Sequence, residues 1–332
     1  MEAESLKVAY QTPAATIYRI SKSPIDAFVA STPGTRRICN DPTVAGIAYT
    51  DALKQSCTEI LRAIPLDLEE EETVVVNILR GGLNFGLRDA LAHAYGWNAH
   101  TTSFISAQRA RDEKESDAWH ITENAYRKVY LPPRASFVIG DVVATGTSLR
   151  YGLQELVRAA QEQKIDVRSI VFFTYGGIQA ELILAEIDKT CRDIFPSYER
   201  TTLIYLEGRF AVAESNTPLH VRLTGTDLLR LGALMAPEFI ESQYENPSFP
   251  IERCIIYDAG SRAFWLYEYI ADVIGYWNQN LQFAEQGMTF EQLLAERFPG
   301  LDLKRFPAVN LKDLCIERLQ AMEKIIVRKK KQ

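Results

Sequence analysis

The cysteine spacing of a disulfide framework or a zinc site is missing from this 332-residue chain. Its five cysteines (Cys39, Cys57, Cys191, Cys254, Cys315) stand far apart, and no two form a CxxC pair. That usage fits a reducing cytosol, so a cytoplasmic location is expected. No apolar run approaches the length of a membrane span, and the N-terminus lacks a signal-peptide profile, so no membrane partner is expected. A solenoid-type repeat is also absent. The net charge of −6 gives no bulk reason to expect nucleic acid. The one basic run, Arg328-Lys329-Lys330-Lys331, reads as a solvated end. A hydrophobic content of 47% and a charged content of 24% are those of a globular protein, long enough for one large domain or two ordinary ones.

Residues 137–149, FVIGDVVATGTSL, organise the rest. A short β-branched apolar run reads as a buried strand, Asp141 stands where it ends, and Ala144, Thr145, Gly146, Thr147 and Ser148 make a small hydroxyl-rich turn. An amphipathic run over 149–163 continues as a helix. Strand, acid, tight turn and helix together make a phosphate-binding device. A glycine lets successive N–H groups converge on an anion, and the helix N-terminus adds its positive end. No Lys follows the glycine, which excludes the GxxxxGK[ST] loop, and there is no GxGxxG fingerprint.

A second buried strand, residues 73–79 (TVVVNIL), runs into Arg80-Gly81-Gly82-Leu83 and then a helical segment over 84–95. Two glycines after a strand form a tight turn. With Arg80 beside them, they also form a backbone arranged to approach an anion closely. Residues 101–106 read as a strand. Residues 107–126 carry Arg109, Arg111, Asp112, Glu113, Lys114, Glu115 and Asp117 with little apolar periodicity, so this stretch is a long polar loop, either functional or merely solvated. Residues 128–131 look like a short strand.

Strands at 168–175 and 201–206 flank a helix at 177–189, and a further helix is expected at 51–64. Alternation from 73 to 206 argues for an α/β fold, a parallel sheet with helices on both faces and a ligand crevice at the carboxyl ends of its strands. Residues 1–40 hold a strand or two between 8 and 19 and a turn at Ser31-Thr32-Pro33-Gly34. From about 211 the chain becomes mostly helical, with helices expected at 224–236, 261–278, 289–298 and 311–327. A division into 1–210 and 211–332 follows. One strand at 254–257 leads into Asp258-Ala259-Gly260-Ser261-Arg262. That stretch is either a second phosphate turn or part of an extension shaping an acceptor pocket.

The 137–149 stretch resembles the phosphoribosyl-pyrophosphate (PRPP) signature of the type I phosphoribosyltransferases: four apolar residues, two acidic, two apolar, then a Thr-Gly phosphate turn. Gly140 replaces the first acid. The wording ILRGGLNFG resembles the ILRAGLGM stretch of uracil phosphoribosyltransferases. The resemblance covers roughly 73–206.

It implies binding of PRPP with Mg²⁺ and transfer of the phosphoribosyl group to a small nitrogenous acceptor, releasing pyrophosphate. It places the 5′-phosphate on the amides of Thr145 to Ser148, with Ala144 also among the PRPP-binding residues, and gives the ribose hydroxyls and developing positive charge to Asp141. Arg80, Gly81 and Gly82 hold the pyrophosphate, with Mg²⁺ bridging its oxygens and Asp141 only an indirect metal contact. Arg109, Arg111 or Lys114 arrive on a mobile lid. A homodimer is expected on the same basis. Two alternatives stay open: a non-catalytic sensor of PRPP or nucleotide on this fold, and pyrophosphate-dependent nucleotide cleavage.

Overall fold

Continuous rather than alternating burial marks the central strands of the computed structural model, and such strands need cover on both faces of their sheet. Residues 4–111, 119–123, 127–222, 225, 227–253 and 259–329 are described, with side chains described outside 108–127, 254–260 and 326–329. The chain begins with β1 (Leu6–Gln11), β2 (Thr16–Ile20), β3 (Asp26–Ser31), α1 (Pro33–Asn40) and α2 (Ile47–Ala63). Then come β4 (Thr73–Leu79), a 3-10 turn at Gly81–Phe85, α3 (Leu87–Tyr95) and β5 (Thr101–Ser106). A hairpin of β6 (Gln108–Arg111) and β7 (Trp119–Glu123) and the short β8 (Arg127–Lys128) precede the main unit. That unit runs β9 (Arg134–Val143), α4 (Thr147–Glu162), β10 (Asp166–Gly176), α5 (Ile178–Ile194), β11 (Arg200–Val212). After β12 (Leu228–Met235) the described elements are helical: α6 (Pro237–Ser242), α7 (Ser248–Ile251), α8 (Ala259–Phe264), α9 (Leu266–Glu285), α10 (Phe290–Arg297) and α11 (Leu311–Lys329), with a 3-10 turn at Leu303–Arg305.

Ten strands form one sheet in the order β1-β2-β3-β11-β10-β9-β4-β5-β8, with β12 paired to β11 off this path. The central strands β3, β11, β10, β9, β4 and β5 are parallel, so their carboxyl ends share one edge. From β4 the chain crosses outward to β5, whereas from β9 it crosses the opposite way to β10. The β4–β9 boundary is therefore a switch point, where a doubly wound sheet opens a crevice outside its strand ends. Helices pack on both faces, α2 against α3 and α4 against α5. One contiguous apolar core runs from Ala15 to Met322 and takes in the Phe137, Phe172 and Phe173 rings of the sheet.

Several elements differ from expectation. The segment 224–236, read as a helix, holds β12 instead, antiparallel to the tail of β11 with Gly208 opposite Met235 and Val212 opposite Leu228. An unsatisfied strand edge there outweighs the helical preference of a leucine-rich run. The Ser31–Gly34 turn is a helix start: Thr32 caps α1 by accepting from the Thr35 N–H, and Pro33 opens the first turn. Strand β3 was not anticipated at all. In the 107–126 stretch the described residues form the β6–β7 hairpin rather than an irregular loop. The expected strand at 254–257 and Asp258 lie outside the described residues, and the residues that follow form α8.

Candidate functional site

Two loops far apart in sequence meet at the β4–β9 switch point. Strand β4 ends at Leu79, the Leu79–Arg80 peptide is cis, and Gly81–Phe85 turns at once into a 3-10 helix. Strand β9 brings Gly140 and Asp141 alongside. A Cβ on Gly81 would stand 2.7 Å from Asp141 Oδ1, and one on Gly82 would stand 3.0 Å from the Gly140 carbonyl oxygen. Neither position therefore takes a side chain without displacing the strand or the acid beside it. Asp141 is 9% exposed, and its Oδ1 accepts the Val142 N–H at 2.9 Å.

Position 140 is sterically closed to a side chain. The buried ring of Phe85 occupies the space a side chain at Gly140 would need.

Next to Asp141, residues 144–148 make the turn into α4. Gly146 has φ +81° and ψ 4°, the left-handed conformation a non-glycine residue adopts only with strain. Its backbone also abuts α5, where a Cβ would fall 2.3 Å from Ile183 Cδ1. Ala144 is buried, and the Thr145 and Thr147 hydroxyl oxygens lie 3.3 Å apart. Ser148 Oγ donates to the Ala107 carbonyl at 3.2 Å, so its hydroxyl is tied to the base of the β6–β7 hairpin, and its contribution to an anion would be its backbone N–H. Helix α4 has no side-chain cap, and its first intrahelical bond runs from Arg150 N to the Gly146 carbonyl. The amides ahead of that bond are the group a helix end offers to an anion.

Another helix start on this edge, that of α1 after β3, is closed from within. Glu207, fully buried at φ +64° in β11, accepts from Ser31 Oγ (2.8 Å), the Thr32 N–H (3.1 Å) and the Thr35 hydroxyl. Burial pushes its carboxyl up to about 7, opposed by those donors and by Arg36. Sequence reading missed Glu207, whose only signal was an acid directly after an apolar run.

Arg80 is exposed, and its guanidinium lies over the Trp265 ring, 5.0 Å from the centroid. That contact ties the candidate site to the C-terminal helices and was not visible in sequence. Arg109 and Arg111 lie on β6, but their side chains fall outside what the structure describes, and Lys114 is outside the described residues. The anticipated meeting of these cations with the site is therefore not observed. Among the described residues there is no group of three or more His, Cys, Asp or Glu side chains suited to a metal ion. Asp141 by itself would suit only a metal ion held mainly on the phosphate oxygens of a ligand, not one held in a protein cage. No described helix is long and apolar enough to cross a membrane.

No family model matches the chain, and no curated protein sequence is similar to it. Solved structures with partial likeness include a hypoxanthine-guanine phosphoribosyltransferase from Bacillus anthracis, at 22% identity over 39% of this chain and 68% of that one, with a TM-score of 0.24. An adenine phosphoribosyltransferase from Trypanosoma brucei shows 11% identity over 60% of this chain and 90% of that one, with a TM-score of 0.30. A purine phosphoribosyltransferase from Pyrococcus horikoshii shows 18% over 50% and 94%, with a TM-score of 0.25. All three are purine enzymes, not members of the uracil branch that the Arg80 loop resembles in wording. Likeness of this degree carries no function to the chain.

Proposed function

We propose that this protein binds PRPP with Mg²⁺ across the β4–β9 switch point and transfers its phosphoribosyl group to a nitrogen of a nucleobase or related acceptor, releasing pyrophosphate. The observation that supports it most is the convergence of the Gly81 backbone on the Asp141 carboxylate beside the uncapped start of α4. One anion cradle, one carboxylate and one arginine loop then line a single strand edge. A sugar with phosphate groups at both ends needs that order of chemistry.

In this reading the amides of Thr147 and Ser148 and the hydroxyls of Thr145 and Thr147 bind the 5′-phosphate. Asp141 accepts from the ribose hydroxyls. As the C1′–O bond to pyrophosphate breaks, C1′ becomes cationic, and the nearby carboxylate stabilises that charge before the acceptor nitrogen bonds to C1′ and gives up its proton. Arg80 and the Gly81 N–H hold the departing pyrophosphate. Mg²⁺, bound on the phosphate oxygens, would neutralise leaving-group charge. Pyrophosphate-dependent nucleotide cleavage is this reaction run backwards on the same groups.

One observation favours a second reading. With Phe85 filling the place of the first acid, β9 carries one carboxylate, that of Asp141, where the resembled signature has two, and a protein that senses PRPP without turning it over needs no more. The experiment is a calorimetric titration with PRPP and Mg²⁺, followed by a screen of nucleobases for pyrophosphate release. Binding with turnover supports the transferase. Binding with no turnover on any base supports the sensor, and no binding overturns both.

A further inference from the structure

Trp265 belongs to the C-terminal helices, yet its ring carries the guanidinium of the arginine that closes β4. Nearly half of the Trp265 surface is exposed (47%), so this is an open contact rather than core packing. The Trp265 backbone is bonded on both sides. The Trp265 N–H bonds to the Ser261 carbonyl at 3.0 Å, and the Tyr269 N–H bonds back to the Trp265 carbonyl at 3.1 Å. The preceding helix, α8, is pinned to the α1–α2 connection by Arg262, which is 1% exposed. Arg262 donates from Nε to the Val44 carbonyl (2.7 Å) and from Nη2 to the Asp41 carbonyl (2.8 Å), while its own carbonyl accepts the Gly46 N–H (2.8 Å). The Arg262 guanidinium also lies over the rings of Tyr49 and Tyr269, at 5.0 and 5.4 Å from their centroids. Helix α8 packs in addition on the 3-10 turn that follows Arg80.

We propose that Trp265 is a positioning residue: its ring restricts Arg80 to the strand edge where pyrophosphate would be held. This makes the C-terminal region part of the donor site, and it rests on the donor reading above. An arginine side chain on an exposed loop samples many rotamers, and each must be frozen when it grips an anion. A flat, electron-rich face that already gathers the guanidinium removes part of that loss. The alternative is that Trp265 only packs α8 against the 3-10 turn.

The test is a double-mutant cycle on full-length protein, with Trp265→Ala, Trp265→Phe, Arg80→Ala and the Trp265→Ala/Arg80→Ala pair, all titrated with MgPRPP and with magnesium pyrophosphate. Exposed cation–π contacts have a strength that predicts about a two- to fivefold weaker dissociation constant for Trp265→Ala. Trp265→Phe should recover most of this, and Trp265→Ala should have no further effect once Arg80 is Ala. Failure of wild-type protein to bind either probe overturns the donor reading and this inference with it. Wild-type binding that Trp265→Ala leaves unchanged overturns the inference alone. So does weakening of the same size in the Arg80→Ala background, since a packing role would act without the arginine.

Discussion

The Phe85 ring lies over Gly140 so closely that a Cβ there would stand 2.5 Å from Phe85 Cγ and 2.8 Å from its Cβ. Introducing an acid by Gly140→Asp should therefore destabilise the protein by roughly 3 kcal/mol or more, through overpacking plus a buried charge. Phe85→Ala is costly alone, but it makes room for the carboxylate. Urea unfolding of both single variants and the double should show a double variant more stable than the sum of the two losses. Strict additivity would mean that the ring does not exclude the acid.

Thr147 opens α4 at the turn proposed to bind the 5′-phosphate. An acidic side chain in a first helical turn stabilises the helix by about 0.3–1 kcal/mol, whereas the same charge repels a bound phosphate. Thr147→Asp is expected to leave the unfolding midpoint unchanged or higher while weakening PRPP binding about tenfold or more. Opposite signs in the two measurements separate lost recognition from lost fold. Gly146→Val cannot do this, because its φ of +81° and the nearby Ile183 make it disruptive to folding as well.

In the proposed reaction Asp141 stabilises the developing charge at C1′. Its replacement by Asn keeps the shape and removes the charge, so turnover should fall about 100-fold, with a smaller change in PRPP affinity. Single-turnover kinetics beside a binding titration would separate the two. An equal loss in both would make Asp141 a binding residue only.

Glu207 gives a pH dependence whose sign follows from burial. Its carboxyl protonates near 7 in the folded protein, against 4.5 as the ordinary value. Between these limits the folded state holds the extra proton, so this residue's contribution is full below about pH 4.5 and is lost as pH rises through 7. Glu207→Gln cannot titrate. Measured by urea unfolding, the stability of the variant relative to wild type should rise by about 3 kcal/mol between pH 4.5 and 7. A flat difference would show that Glu207 stays charged throughout.

Much of the α/β core was legible because its strands are continuous apolar runs. Residues 73–79 match β4, 137–140 lie within β9 and 168–175 within β10, and the turn 144–148 appears where the hydroxyl-rich stretch placed it. Strand β3 escaped notice because a short run, DAFVAS, has no period of its own and is defined by pairing with β2 and β11. Strand β12 reads locally as a helix, and only the free edge of β11 gives it its conformation.

The sequence by itself determined the buried strands with long apolar runs, β4, β9 and β10 among them, where glycines permit close backbone approach, and which acid follows the apolar run of β9. These are local properties, set by side-chain volume, backbone freedom and hydrophobic period. Tertiary structure decided that Gly81 lies beside Asp141 with no room for a side chain, that Phe85 closes position 140, that Glu207 closes the start of α1, and that Trp265 meets Arg80. Each of those contacts joins residues on separate elements whose positions depend on how the whole sheet and its helices pack. No local pattern around either partner encodes the other.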